Sequence, residues 1–176
     1  EANTPLVIEE LDLDEPKQGE VLVKMGAAGI CRSDWHVMAG EASMVMPVVL
    51  GHEGSAVVER VGPGVTSLKP GQRVILCFVS RCGQCEFCTT GRSNLCDAHM
   101  ATSTTMLDGT HRLHKGDINI TPLSKLSCFS QYSVVPEVAC VPCPPDFPLD
   151  KAALIGCCVT TGVSAVITAA RVEPGS

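Results

Sequence analysis

Residues 51–65 read GHEGSAVVERVGPGV. The apolar run Ala56-Val57-Val58, between Gly54 and the charged Glu59 and Arg60, has the composition of a strand over residues 54–61, and Gly62-Pro63-Gly64 closes it with a turn. Similar pieces recur on both sides. Upstream, residues 20–24 (EVLVK) place Val21, Leu22 and Val23 between charged ends and lead through Gly26 and Gly29 to Ile30 and Cys31. Downstream, after the turn Lys69-Pro70-Gly71, residues 72–79 (QRVILCFV) read as a third strand, and residues 129–135 as a later one. Short strands separated by Pro-Gly turns predict a mainly β chain with a few helices, folded as a small barrel. Without βαβ alternation, no parallel sheet is expected. Residues 100–125 are polar and irregular and read as a surface excursion. Helical pattern starts at Leu149: Asp150 is placed to cap a helix running to Leu154. Gly156-Cys157-Cys158 then breaks the pattern, and a second helical stretch covers residues 160–171.

A chain of 176 residues is long enough to bury a core. Its net charge of -6 offers no basic face to nucleic acid and no polybasic segment to a membrane. No run of about eighteen apolar residues stands out, which predicts no membrane-spanning helix. The opening EANTPLVIEE has neither the basic nor the apolar region of a secretory signal. Gly62-Pro63-Gly64 is a turn and not the start of a dinucleotide fingerprint, since Ser67 stands where the third glycine would fall and no helical pattern follows.

Eleven cysteines are many for an ordinary domain. Disulfides and metal ligation both account for such a count. The chain length, the odd number and the lack of a signal favour metal ligation in a reducing compartment, hence a cytoplasmic location. Four of the eleven fall in CGQCEFCTTGRSNLC, residues 82–96. The C-x2-C step repeats through Cys82, Cys85 and Cys88, and Cys96 returns after a loop eased by Gly91. Four thiolates fill a tetrahedron and leave no position for water, so this lobe reads as a structural zinc site that supplies folding energy. Two disulfides or unpaired buried thiols are the competing readings.

A second, open site is harder to assemble from spacing. His52 lies at the junction between an apolar run and a strand, Cys31 ends another strand, and Cys157 interrupts the late helical region. Two cysteines and a histidine can hold a catalytic zinc with one position open. Their separations alone do not pair them, and a lone histidine is more often a packed polar residue.

GICRSDWH (residues 29–36), GHEGSAVVERVGPGV, CGQCEFC with its closing Cys96, and LIGCCVTTG (residues 154–162) occur together and in that order. In this the chain resembles the zinc-dependent medium-chain alcohol dehydrogenases that carry a structural zinc lobe. The resemblance implies a GroES-like β-barrel catalytic domain over residues 1–156, including the lobe at 82–96, with residues 157–176 beginning a helical connection to a Rossmann cofactor domain absent from this chain. It implies two zinc ions, the catalytic one held by Cys31, His52 and Cys157 with Glu53 beside it, and the structural one by Cys82, Cys85, Cys88 and Cys96. Asp34 is expected to hydrogen-bond the His52 ring. Ser33 and His36 are expected to carry the substrate's hydroxyl proton outward, Arg32 to meet the cofactor pyrophosphate, Thr161 to touch the nicotinamide and Phe78 to line the substrate pocket. The activity implied is reversible oxidation of a small alcohol to an aldehyde or ketone, with hydride passing to NAD(P)+. The whole enzyme would be a homo-oligomer, and the chain alone inactive.

Two other functions fit the same motifs: a thiol-adduct-linked formaldehyde dehydrogenase of the same family, and a non-catalytic zinc-stabilised binding module. By the resemblance, residues 1–10 correspond to the family's second strand. Cys158, beside the expected ligand Cys157, is a departure from a common glycine, and Trp35 adds bulk beside the proton route. Cys140-x-x-Cys143 is flanked by prolines and has no partner pair, His111-x-x-His114 reads as solvated, and Cys77 and Cys128 read as strand interiors.

Overall fold

Alternation decides which faces meet. The computed structural model describes residues 3–176. Its strands, in chain order, are β1 (Asp12–Leu13), β2 (Glu20–Gly29), β3 (Val48–Val49), β4 (Glu53–Val61), β5 (Arg73–Leu76), β6 (Leu113–Lys115), β7 (Ile118–Pro122), β8 (Tyr132–Pro136) and β9 (Cys140–Pro142). Helix α1 (Arg32–Met38) follows β2, the short α2 (Glu86–Thr89) and α3 (Asp97–Ala101) lie in and after the cysteine lobe, and α4 starts at Leu149–Ala152.

One antiparallel sheet runs β8-β2-β4-β5-β9. Val21 and Val23 of β2, Ala56 and Val58 of β4, and Val74 and Leu76 of β5 point inward at period two and form the main core with Leu126, Cys128 and Val135. Each fully buried side chain of this size contributes about 1.5–3 kcal/mol. At the far end of β2 the pairing sets Gly29 opposite Glu53, and that register positions the candidate site described below.

The second sheet, β1-β6-β7-β3, contains a parallel pair, Val48 with Thr121 and Val49 with Pro122. The expectation of no parallel pairing is therefore corrected. A parallel neighbour needs a long crossover, and here the crossover is everything from β4 through the cysteine lobe to β7. Residues 100–125 are likewise not an irregular excursion. They contain the β6-β7 hairpin, and Arg112, at its entry, is buried against β2, where its Nε and Nη2 donate to the Glu20 carboxylate at 2.8 and 2.7 Å. Nη2 also donates to Asp108 at 2.8 Å. A polar sequence is held here by forked, charge-assisted bonds beside the buried apolar side chains of Met106, Leu113 and Ile120.

Other expectations shift at the edges. The third strand stops at Leu76 and β8 starts only at Tyr132, so Cys77 and Cys128 lie outside strands, although Cys128 is buried. Residues 1 and 2 lie outside the described residues, and no strand occurs between residue 3 and Asp12; Leu6, Val7 and Ile8 are exposed. Pro148, not Asp150, is the residue at the N-cap of α4, and Asp150 sits in the first turn, where a carboxylate favours the helix dipole. The chain does not break at Gly156-Cys157-Cys158. Ile155–Val159 is a π-helical turn inside one helical segment, Leu149–Ala169. That segment of 21 residues is long and apolar enough to cross a membrane by length and composition, contrary to the expectation that none is. Threonine, serine and glycine dilute its hydrophobicity to the eye.

Candidate metal centres

Two groups of metal-ligating side chains converge. In each, the ligand atoms all lie within 4.8 Å of one another.

The first group joins Cys31, His52, Glu53 and Cys157. Cys31 follows the end of β2 and stands at the N-cap of α1; Glu53 is the first residue of β4 and His52 precedes it. Because β2 and β4 pair side by side, the end of one delivers Cys31 next to the start of the other. Cys157 arrives from the π-helical turn, which Gly156 seats against the backbone of β5.

Asp34 is fully buried beneath this group and accepts three hydrogen bonds: from the backbone N–H of Cys31 (3.1 Å), the backbone N–H of Gly51 (3.0 Å) and His52 Nδ1 (3.3 Å). Burial by itself would raise the Asp34 pKa. The bonds from His52, Cys31 and Gly51 prevail and hold the carboxyl below its usual value. His52 responds in the opposite sense: burial would lower it, but the hydrogen bond and charge of Asp34, then those of Cys31, raise it. With Nδ1 committed to Asp34, Nε2 is the nitrogen left for a metal.

Cys157 meets the acidic groups Cys31 and Glu53. Burial, then the charge of Cys31 and Glu53, pushes its thiol up to about 12. A divalent cation inverts this logic, since a coordinating thiol is deprotonated outright. Two sulfurs, an imidazole and a carboxylate suit a borderline-soft ion. The residues present therefore fit a metal.

Phe78 packs edge-on to His52, with ring centroids 5.9 Å apart. Ser33 Oγ lies 3.9 Å from Cys31 Sγ. Arg32 and Ser33 are exposed at the start of α1, His36 is in its last turn, and Thr161 is exposed on the helical segment just beyond Cys157.

The second group is Cys82, Cys85, Cys88 and Cys96. Gly83 (φ 79°) and Gly91 (φ 80°) take left-handed conformations that turn the chain between ligands. Backbone N–H groups of Cys82 and Cys85 donate to the sulfurs of Cys96 and Cys82 at 3.2 and 3.4 Å. The N–H groups of Gln84 and Cys85 lower the Cys82 thiol, whereas burial pushes Cys88 up to about 11. Within residues 82–96 only Cys96 is buried. The lobe thus has no apolar core of its own, and a metal fits where a core would be.

Residues 17–145 match the alcohol dehydrogenase GroES-like domain. The chain belongs to that family. It is 42% identical to alcohol dehydrogenase class-3 of Dictyostelium discoideum, over all of this chain and 47% of the relative. It is 45% identical to S-(hydroxymethyl)glutathione dehydrogenase of Paracoccus denitrificans, over all of this chain and 48% of the relative. The alcohol dehydrogenase zinc-binding domain protein from Burkholderia ambifaria superposes with a TM-score of 0.91 at 33% identity, over 99% of this chain and 48% of that one. The chain spans about half the length of these relatives.

The remaining cysteines and histidines are not among the ligands of either group. Cys140 and Cys143 are buried, with the Cys140 thiol donating to the Pro136 carbonyl. His114 is not simply solvated: it bonds Asn119 and, across β1 and β6, Asp14. Sequence reasoning missed Lys125, whose side chain is fully buried and whose Nζ donates to the carbonyls of His99 (3.2 Å) and Thr102 (2.8 Å) around the end of α3. Nothing in its neighbours' hydropathy marks a buried cation.

Proposed function

We propose that this chain is the catalytic-domain part of a zinc-dependent alcohol dehydrogenase that oxidises a small alcohol reversibly to an aldehyde or ketone. The convergence of Cys31, His52, Glu53 and Cys157 in one cluster carries the reading. Cys31, His52 and Cys157 would hold a catalytic zinc and the four lobe cysteines a structural one. When bound, the catalytic ion supplies a Lewis acid that lowers the pKa of an alcohol oxygen, and NAD(P)+ supplies the hydride acceptor.

The chain's own residues do the rest. Asp34 fixes the His52 tautomer, Glu53 places a carboxylate beside the ligands, and Phe78 shields one side of the imidazole. Ser33 and His36 would pass the hydroxyl proton outward. Arg32 is an exposed guanidinium suited to a pyrophosphate, and Thr161, exposed beyond Cys157, would touch the nicotinamide. The catalytic domain would end at residue 156, inside the helical segment, with residues 157–176 leading to a cofactor domain. Six of the eleven cysteines group as candidate metal ligands, which supports a reducing, cytoplasmic location; the whole enzyme would be a homo-oligomer.

A second reading is favoured by the 45% identity to S-(hydroxymethyl)glutathione dehydrogenase: oxidation of a formaldehyde–thiol adduct at the same site. The test is NAD(P)+ reduction by the whole protein, with simple alcohols in one arm and formaldehyde plus glutathione in the other. Turnover in either arm that Cys31→Ala abolishes selects between the two; a whole protein with both metals and no turnover in either arm contradicts both.

A further inference from the structure

The turn that ends α1 folds back on His36. Gly40 takes φ of 71°, a conformation open to glycine without strain. The His36 carbonyl then accepts backbone hydrogen bonds from Glu41 (2.8 Å) and Ala42 (3.0 Å). With the backbone closed in this way, the Glu41 carboxylate meets the imidazole, Oε2 lying 2.5 Å from His36 Nδ1. Exposed ion pairs are usually worth little, because two side chains must be held in one geometry. Here two backbone bonds have already done much of that holding.

A neutral imidazole has one N–H and one bare nitrogen, and the partner of one nitrogen decides the state of the other. An ionised carboxylate only accepts, so Nδ1 carries the hydrogen and Nε2 is bare.

We propose that Glu41 is a positioning residue that holds His36 as its Nδ1–H tautomer, making Nε2 the atom that takes up the proton leaving the substrate hydroxyl. This rests on the reading of His36 as the outlet of the proton route. The proton arriving at Nε2 gives an imidazolium whose charge faces the Glu41 carboxylate. The same nitrogen then releases it to water, the His36 side chain being 42% exposed. No oxidation accompanies the transfer.

The test is 15N NMR of the His36 ring in this chain, at a pH where the imidazole is neutral, comparing the native protein with Glu41→Ala and Glu41→Gln. The Nδ1–H form should dominate in the native protein. Its ratio to the Nε2–H form should fall about fivefold in Glu41→Ala, the size of one net hydrogen bond, and recover in part in Glu41→Gln, whose carbonyl still accepts. An unchanged ratio in Glu41→Ala overturns the proposal and leaves the proton-route reading standing. Conversely, if the whole enzyme carrying His36→Gln keeps its pH–rate profile, the proton route fails and the role of Glu41 falls with it, while the NMR result stands.

Discussion

A Cβ placed on Gly156 would lie 2.0 Å from the carbonyl oxygen of Leu76, so the helical segment that carries Cys157 touches β5 backbone to backbone. The obstacle is main chain and cannot swing aside. Gly156→Ala therefore has to lift the π-helical turn away from β5 and take Cys157 out of reach of Cys31 and His52. The expected outcome is loss of the metal at this site with retention of the lobe metal, read by metal analysis on the folded variant.

Asp34 ties three donors to one buried carboxylate. Asp34→Ala leaves two N–H groups and the His52 ring without their acceptor. Affinity at the Cys31–His52–Cys157 site should fall about 10- to 100-fold, the usual effect of removing a ligand's outer partner. Chelator competition measures it, and the lobe serves as internal control.

Lys125 fills buried volume as well as bonding the end of α3. Lys125→Ala deletes the three buried methylenes beyond Cβ and leaves the carbonyls of His99 and Thr102 without that donor, so it should cost about 2–5 kcal/mol. Urea unfolding gives the loss. Lys125→Met, which keeps the volume, separates the ammonium's share from that of packing.

Asp108 is held below the usual carboxylate range: burial would raise it, but the hydrogen bond and charge of Arg112 and the bonds from Thr110 prevail. A depressed folded-state pKa contributes stability that is present above the unfolded value of about 3.9 and is lost as pH falls through the folded one. Native protein should therefore exceed Asp108→Asn in Tm at neutral pH, with the gap narrowing below about pH 4. A gap that stays constant down to pH 2 contradicts this origin.

Strands 20–24, 54–61 and much of 72–79 were legible because their alternation and flanking turns survive intact in β2, β4 and β5. The lobe was legible because all four cysteines fall within one short stretch, where spacing alone speaks. Cys31, His52 and Cys157 lie on separate elements, and only the likeness to known motifs could join them in advance. What stayed hidden has a common cause. β3 is two residues long and shows no period, β6 and β7 are held partly by the buried Arg112–Glu20 pair, and Lys125 is a cation in a core. Hydropathy patterns register none of these.

By the proposed function, two metal sites coexist in this chain, one closed by four cysteines and one built from Cys31, His52 and Cys157. Zinc per chain on freshly purified protein, measured alongside Cys31→Ala, tests it most directly. Two zinc ions in the native protein and one in the folded Cys31→Ala variant are predicted. A native protein that binds no zinc, or a variant that loses both ions together, would contradict the account.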